Sequence, residues 1–65
     1  MVVFNICKVE NGIIYYCQRP VGIVRENKAL VLERCYCKEL ENFLQDSGYR
    51  ICWVYYEPEE LKRAV

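Results

Sequence analysis

The chain has 65 residues, with nine basic and nine acidic side chains, five cysteines and no histidine. This length predicts one compact domain over residues 1–65, near the lower size limit for folding alone, because a chain of about 60 residues buries only about 60% of its unfolded surface. Zero net charge, with both signs interspersed, disfavours nucleic acid as a partner, since phosphate neutralisation needs an excess of Lys and Arg.

A β-hairpin is predicted at the start of the chain. Residues 2–9 (VVFNICKV) are rich in β-branched side chains, and residues 13–18 (IIYYCQ) supply the returning strand. Asn11-Gly12 between them is a strong turn signal, because both residues accept a positive φ. A two-residue turn pairs Cys7 with Tyr16, whereas a three-residue turn makes Cys7 and Cys17 diagonal neighbours on one face. The sequence leaves both registers open.

A second hairpin is predicted further along the chain. Arg19-Pro20 is expected to end the preceding strand, because Pro lacks the N–H that a sheet ladder needs. Residues 21–26 (VGIVRE) and 29–33 (ALVLE) then pair about Asn27-Lys28. The alternative is one long helix over residues 28–46, but the unbroken apolar run ALVL is more typical of a buried strand.

The C-terminal half predicts a main helix, a strand and a short helix. An apolar stripe indicates a helix over about residues 36–46, and Ser47-Gly48 ends it. Residues 49–56 (YRICWVYY) form a strand that is apolar on both faces. Pro58, followed by two glutamates, begins a short terminal helix. The sequence therefore predicts an α+β fold with a small, mostly antiparallel sheet.

Five cysteines are many for a chain of 65 residues. The count of five is odd, and the N-terminal segment has no basic region typical of a secretion signal. We therefore expect a cytoplasmic protein without a membrane span, in which thiols pack as small apolar side chains. One or two disulfides, or a metal site, are the alternatives for these residues: Cys7, Cys17, Cys35, Cys37 and Cys52. The spacing of Cys35 and Cys37 is a weak zinc signal, so no cofactor is expected.

Catalytic groups are sparse, so we expect a protein that is not an enzyme. Histidine, the most common general base, is absent. The sequence has neither a Gly-rich phosphate loop nor a paired-carboxylate motif. A thiol of low pKa at Cys35 or Cys37, beside the predicted helix start, is the one nucleophile that the pattern offers.

Protein–protein association is the leading functional expectation. One main helix covers one face of a sheet, yet the strand over residues 49–56 is apolar on both faces. We therefore expect a homodimer, or a larger protein partner that this chain binds and modulates. The residues assigned to that surface are aromatic: Tyr15, Tyr16, Trp53, Tyr55 and Tyr56.

Two other functions are retained as alternatives. A small dimeric nucleic-acid-binding regulator would need its cations on one face, and the candidates are Arg19, Arg25, Lys28 and Arg50. A metal or redox module would be built on Cys35 and Cys37, and its fold would respond to a chelator or a reductant.

Overall fold

The computed structural model describes residues 6–63. They form a five-stranded sheet whose strand order follows the chain order. Strands β1 to β4 form an antiparallel meander, and β5 pairs with β4 in parallel after a helical crossover. The elements are β1 (Cys7–Glu10), β2 (Ile13–Tyr16), β3 (Arg19–Arg25), β4 (Lys28–Leu32), α1 (Lys38–Asp46), β5 (Arg50–Val54) and α2 (Glu59–Arg63). The predicted α+β class, with two hairpins, one main helix and one short helix, is confirmed.

The main helix begins later than its apolar stripe suggests. A 3-10 turn over Glu33–Cys35 follows β4, and Cys37 is extended at φ −153°. The Sγ atom of Cys37 accepts a hydrogen bond from the backbone N–H of Leu40 at 3.4 Å. Cys37 therefore caps α1, and Tyr36 lies outside the helix. Because β4 is a strand, the long helix over residues 28–46 does not form.

The first hairpin has the two-residue turn. Asn11 and Gly12 both have positive φ, 54° and 78°, and Cys7 lies opposite Tyr16. Beyond that pair, the N–H of Cys17 donates to the carbonyl oxygen of Ile6 at 2.8 Å. The part of the predicted first strand that covers residues 2–5 lies outside the described residues.

The prediction that Arg19-Pro20 ends a strand is wrong, because both residues lie in β3. The preceding strand ends instead in the turn Cys17-Gln18, where φ is 54° and 68°. Pro20 lies opposite Tyr15, and β4 pairs with β3 only from Gly22 onward. No β4 residue lies opposite Pro20, so its missing N–H removes no hydrogen bond with β4.

A β-bulge in β3 divides the core between the two sheet faces. Ile14 pairs with Gly22 and Tyr15 pairs with Pro20, so Val21 is the extra residue. Val21 is buried on the α1 side of the sheet, whereas Ile23, two residues later, is buried on the α2 side. Without the bulge, residues two apart in a strand would share a face.

Each face has its own buried cluster. The cluster beneath α1 consists of Ile14, Val21, Ala29, Val31, Leu40 and Leu44, and the cluster beneath α2 consists of Ile23, Leu32 and Leu61. Leu61 is only 1% exposed, so the short C-terminal helix contributes directly to the core. Among residues 6–63, no helix is long and apolar enough to cross a membrane.

Candidate interaction surface

Strand β5 forms one edge of the sheet, and its hydrogen-bonding direction is fixed at its first residue. The N–H of Arg50 donates to the carbonyl oxygen of Asn27 at 2.9 Å, towards β4. Backbone groups along a strand point alternately to its two sides, so Cys52 also bonds towards β4. Ile51 and Trp53 therefore direct their N–H and C=O groups towards the free edge.

The two edges of the sheet differ in charge. On β1, Lys8 and Glu10 are exposed and form an ion pair at 3.2 Å. The segment from Ile51 to Tyr56 carries no charged side chain. Charged residues on an edge strand oppose the addition of another strand, because the added strand would desolvate them. Of the two edges, β5 is the less protected, because its charge is confined to Arg50 at its start.

The predicted aromatic surface does not form one continuous patch. Tyr16 and Trp53 pack against the cluster beneath α1, whereas Tyr15 follows Ile14 in β2 and so points to the opposite face. Tyr55 and Tyr56 follow β5 and are 84% and 74% exposed. Trp53, Tyr55 and Tyr56 are thus close together in the chain at one end of β5, while Tyr15 and Tyr16 lie in β2.

Trp53 belongs partly to the core as well as to the edge. Its ring lies edge-on to the ring of Tyr36, with a centroid distance of 4.9 Å and an interplanar angle of 81°. It is also only partly exposed. Replacing Trp53 by Ala would therefore disturb packing within the chain, so Cys52, which is exposed in the same strand, is a cleaner probe of the edge.

Three of the five thiols line a cleft at one end of the α1 face. The cleft has a volume of about 490 Å³ and is lined by Tyr16, Cys17, Arg19, Val21, Arg34, Cys35, Tyr36 and Cys37. Cys52 lies apart from them in β5 and is exposed. All five cysteines are free thiols. Within residues 6–63, no three Cys, Asp or Glu side chains are grouped so that they could hold a metal ion.

Two ionisable groups near this cleft, Tyr16 and Cys7, favour their neutral forms. Hydrogen bonding to Cys37 and to Glu39 raises the pKa of the Tyr16 phenol, and its hydroxyl donates to Glu39 Oε1 at 3.2 Å. Burial, together with the negative charge of Glu39, raises the pKa of the Cys7 thiol. A raised pKa lowers the thiolate fraction at neutral pH, so Cys7 is a poor nucleophile.

Three of the four candidate cations lie side by side. Arg25 pairs with Lys28 across β3 and β4, and Lys28 pairs with Arg50 across β4 and β5. Arg19 lies at the other end of β3 and lines the thiol cleft. Arg25 is held by hydrogen bonds to Glu60, which offsets its charge. The row therefore offers two cations, Lys28 and Arg50, that make no ion pair within the described part of the chain.

No protein-family model matches this sequence, and no curated protein or solved structure is significantly similar to it. Sequence reasoning identified the apolar strand but not its position at the edge of the sheet, and it treated Cys52 as a small apolar side chain, with a disulfide or a metal site as alternatives. The absence of charge from Ile51 to Tyr56 is the signal that could have indicated an unprotected edge.

Proposed function

We propose that this chain is a non-enzymatic protein-association module, and that an extended segment of a protein partner adds as a strand to the free edge of β5. The observation that carries the proposal is the outward direction of the backbone groups of Ile51 and Trp53, in a segment of β5 that carries no charge after Arg50. Strand addition of this kind derives its affinity from main-chain hydrogen bonds.

The side chains along β5 support strand addition on both faces. Ile51 and Trp53 lie at the border of the cluster beneath α1, and Val54 borders the cluster beneath α2. All three are partly exposed. An added strand would cover these borders, because the side chains of neighbouring strands lie about 4.5–5.5 Å apart on each face. Alternate side chains of the partner would then determine its specificity.

Amide hydrogen exchange can test strand addition without a known partner. The probe is a short synthetic peptide of alternating Thr and Val with Lys at each end, which is extended, soluble and unrelated to this chain. With the protein diluted until it is monomeric, we expect the peptide to slow exchange at the N–H groups of Ile51 and Trp53, because they would gain hydrogen-bond acceptors. The matched control is the other edge, where the N–H groups of Cys7 and Val9 point outward beside Lys8 and Glu10. If the peptide slows amide exchange at β1 alone, or at neither edge, the proposal is contradicted.

Nucleic-acid binding is the second candidate function, and the row of Arg25, Lys28 and Arg50 is the observation that favours it. It is the weaker candidate, because Glu60 offsets Arg25 and the whole chain is neutral. The test is the affinity for a DNA duplex at several salt concentrations. Binding through this row would weaken as salt rises, and the double substitution Lys28→Ala and Arg50→Ala would remove it. Affinity that is independent of salt would exclude this function.

A further inference from the structure

We infer that the strand added to β5 is β5 of a second copy of this chain, in antiparallel orientation and with Cys52 on the two-fold axis. This inference rests on the proposed function and names its partner. The resulting dimer would have one continuous sheet, with five strands from each copy. Both α1 helices would lie on one face of that sheet and both α2 helices on the other.

The backbone pattern determines where the axis can lie. Ile51 and Trp53 direct their hydrogen-bonding groups outward, and they flank Cys52, whose groups point towards β4. A two-fold axis at Cys52 places Ile51 of each copy opposite Trp53 of the other, and each pair exchanges two N–H···O bonds. Cys52 then faces Cys52 of the second copy in a non-hydrogen-bonded pair, where Cα atoms lie about 4.5 Å apart and side chains are close.

Charge complementarity selects an antiparallel second copy. Lys28 and Arg50 pair at the start of β4 and β5, and neither makes an ion pair with residues 6–63. At the other end of β5, Glu57 is ion-paired with Arg34 at 2.7 Å, so Glu59, which makes no ion pair with residues 6–63, is the carboxylate left for a second copy. Antiparallel pairing brings Arg50 of one copy towards that end of the other, whereas parallel pairing would bring the two Arg50 side chains together. With no net charge on the chain, self-association meets no overall repulsion.

The position of the two-fold axis can be tested by introducing a charged side chain at Cys52. Cys52→Lys and Cys52→Glu each place like charges opposite one another in a symmetric dimer, and a mixture of the two variants places opposite charges there. Cys52 is exposed, so both variants should fold, and circular dichroism checks that they do. Sedimentation equilibrium and native mass spectrometry measure the association. The control is Lys8→Glu on the other edge, which should leave the dimer unchanged.

We expect the wild-type chain to dimerise and each Cys52 variant alone to dimerise at least about tenfold more weakly. The equimolar mixture should recover the dimer as a heterodimer. Wild-type protein that stays monomeric at about 1 mM, or a mixture that associates no better than its components, would overturn the inference. Should the Thr-Val peptide still protect Ile51 and Trp53 in such a monomer, the second copy fails as the partner while strand addition stands. If the peptide does not protect Ile51 and Trp53 either, both the dimer and the proposed strand addition are wrong.

Discussion

Gly22 lies so close to Leu30 that a β-carbon added to the glycine would be 2.5 Å from the leucine carbonyl oxygen. The same β-carbon would be 3.0 Å from the Cα atom of Val31. Both neighbours are backbone atoms of β4, which cannot rotate away as a side chain could. The β-bulge at Val21 is therefore compatible only with glycine at the next position, and this residue brings β3 and β4 together.

We predict that Gly22→Ala lowers the free energy of unfolding by about 3 kcal/mol, since over-packing against backbone forces the strands apart. Urea denaturation followed by circular dichroism measures the change. Gly48→Ala is the matched control: Gly48 has φ 88° and nothing within 4 Å of its added β-carbon. Gly48→Ala should lower the free energy of unfolding by only about 1 kcal/mol, because alanine is strained in the left-handed backbone conformation of this position. Equal losses for the two variants would show that close packing at Gly22 is not the cause.

The turn Cys17-Gln18 offers a way to stabilise the protein. Both residues have positive φ, a conformation that costs a non-glycine residue about 1–2 kcal/mol. We predict that Gln18→Gly raises the free energy of unfolding by about 1 kcal/mol, as measured by urea denaturation. Gln45→Gly is the control, because Gln45 lies inside α1, where glycine should lower stability by about 1 kcal/mol. A loss of stability in both variants would argue against strain in the turn.

Leu61 anchors α2 to the sheet. It is the one buried residue of that helix and packs with Ile23 and Leu32. We predict that Leu61→Ala lowers the free energy of unfolding by about 3 kcal/mol, from lost burial and the cavity left behind. Exchange at the amides of α2 should become fast, because a helix this short is not stable alone. Lys62→Ala is the control, because Lys62 is the next residue and is exposed. It should change neither the free energy of unfolding nor the exchange rate of α2. An equal loss of stability in Lys62→Ala would contradict the anchoring role of Leu61.

The ion pair between Arg25 and Glu60 makes stability depend on pH. Hydrogen bonds from Arg25 lower the pKa of the Glu60 carboxyl, which is about 4.3 in an unfolded chain. A lowered pKa in the folded state means that stabilisation is present above about pH 4.3 and is lost as the pH falls through the folded-state value. We predict that Glu60→Gln is less stable than wild type at neutral pH and equally stable in strong acid, where both side chains are uncharged.

Urea denaturation at a series of pH values measures that difference. Glu33→Gln is the control, because Glu33 is exposed and makes no ion pair with residues 6–63. Its stability should follow the wild-type curve. A constant difference between Glu60→Gln and wild type across the whole pH range would assign the effect to packing rather than to charge.

Local signals in the sequence predicted most of the secondary structure. Asn11-Gly12 located the first turn because its conformational preference is strong, and Gly48 located the end of α1 for the same reason. Cys17-Gln18 carries no such preference, so the turn there was missed and the strand end was placed at Arg19-Pro20. These two residues are held in left-handed conformations by the pairing of β2 and β3, which a local pattern cannot reveal.

The candidate site was only partly predictable. The sequence showed an apolar strand over residues 49–56. That a protein partner covers this strand remains a proposal. Its place beside β4, in parallel, depends on a crossover through α1, and a pattern of alternating side chains does not specify strand order. For the same reason the aromatic residues were grouped by type, although Tyr15 and Trp53 lie on opposite faces of the sheet.

The topology also has a consequence for the order in which the protein folds. Strands β1 to β4 are chain neighbours joined by two-residue turns, so their contacts form quickly, whereas β5 arrives only after residues 33–49 have folded across the sheet. Until then β4 is an open edge that carries the apolar run ALVL. Two chains that meet at this stage can exchange β5, each completing the other's sheet, and the crossover segment would then act as the hinge of a domain-swapped pair.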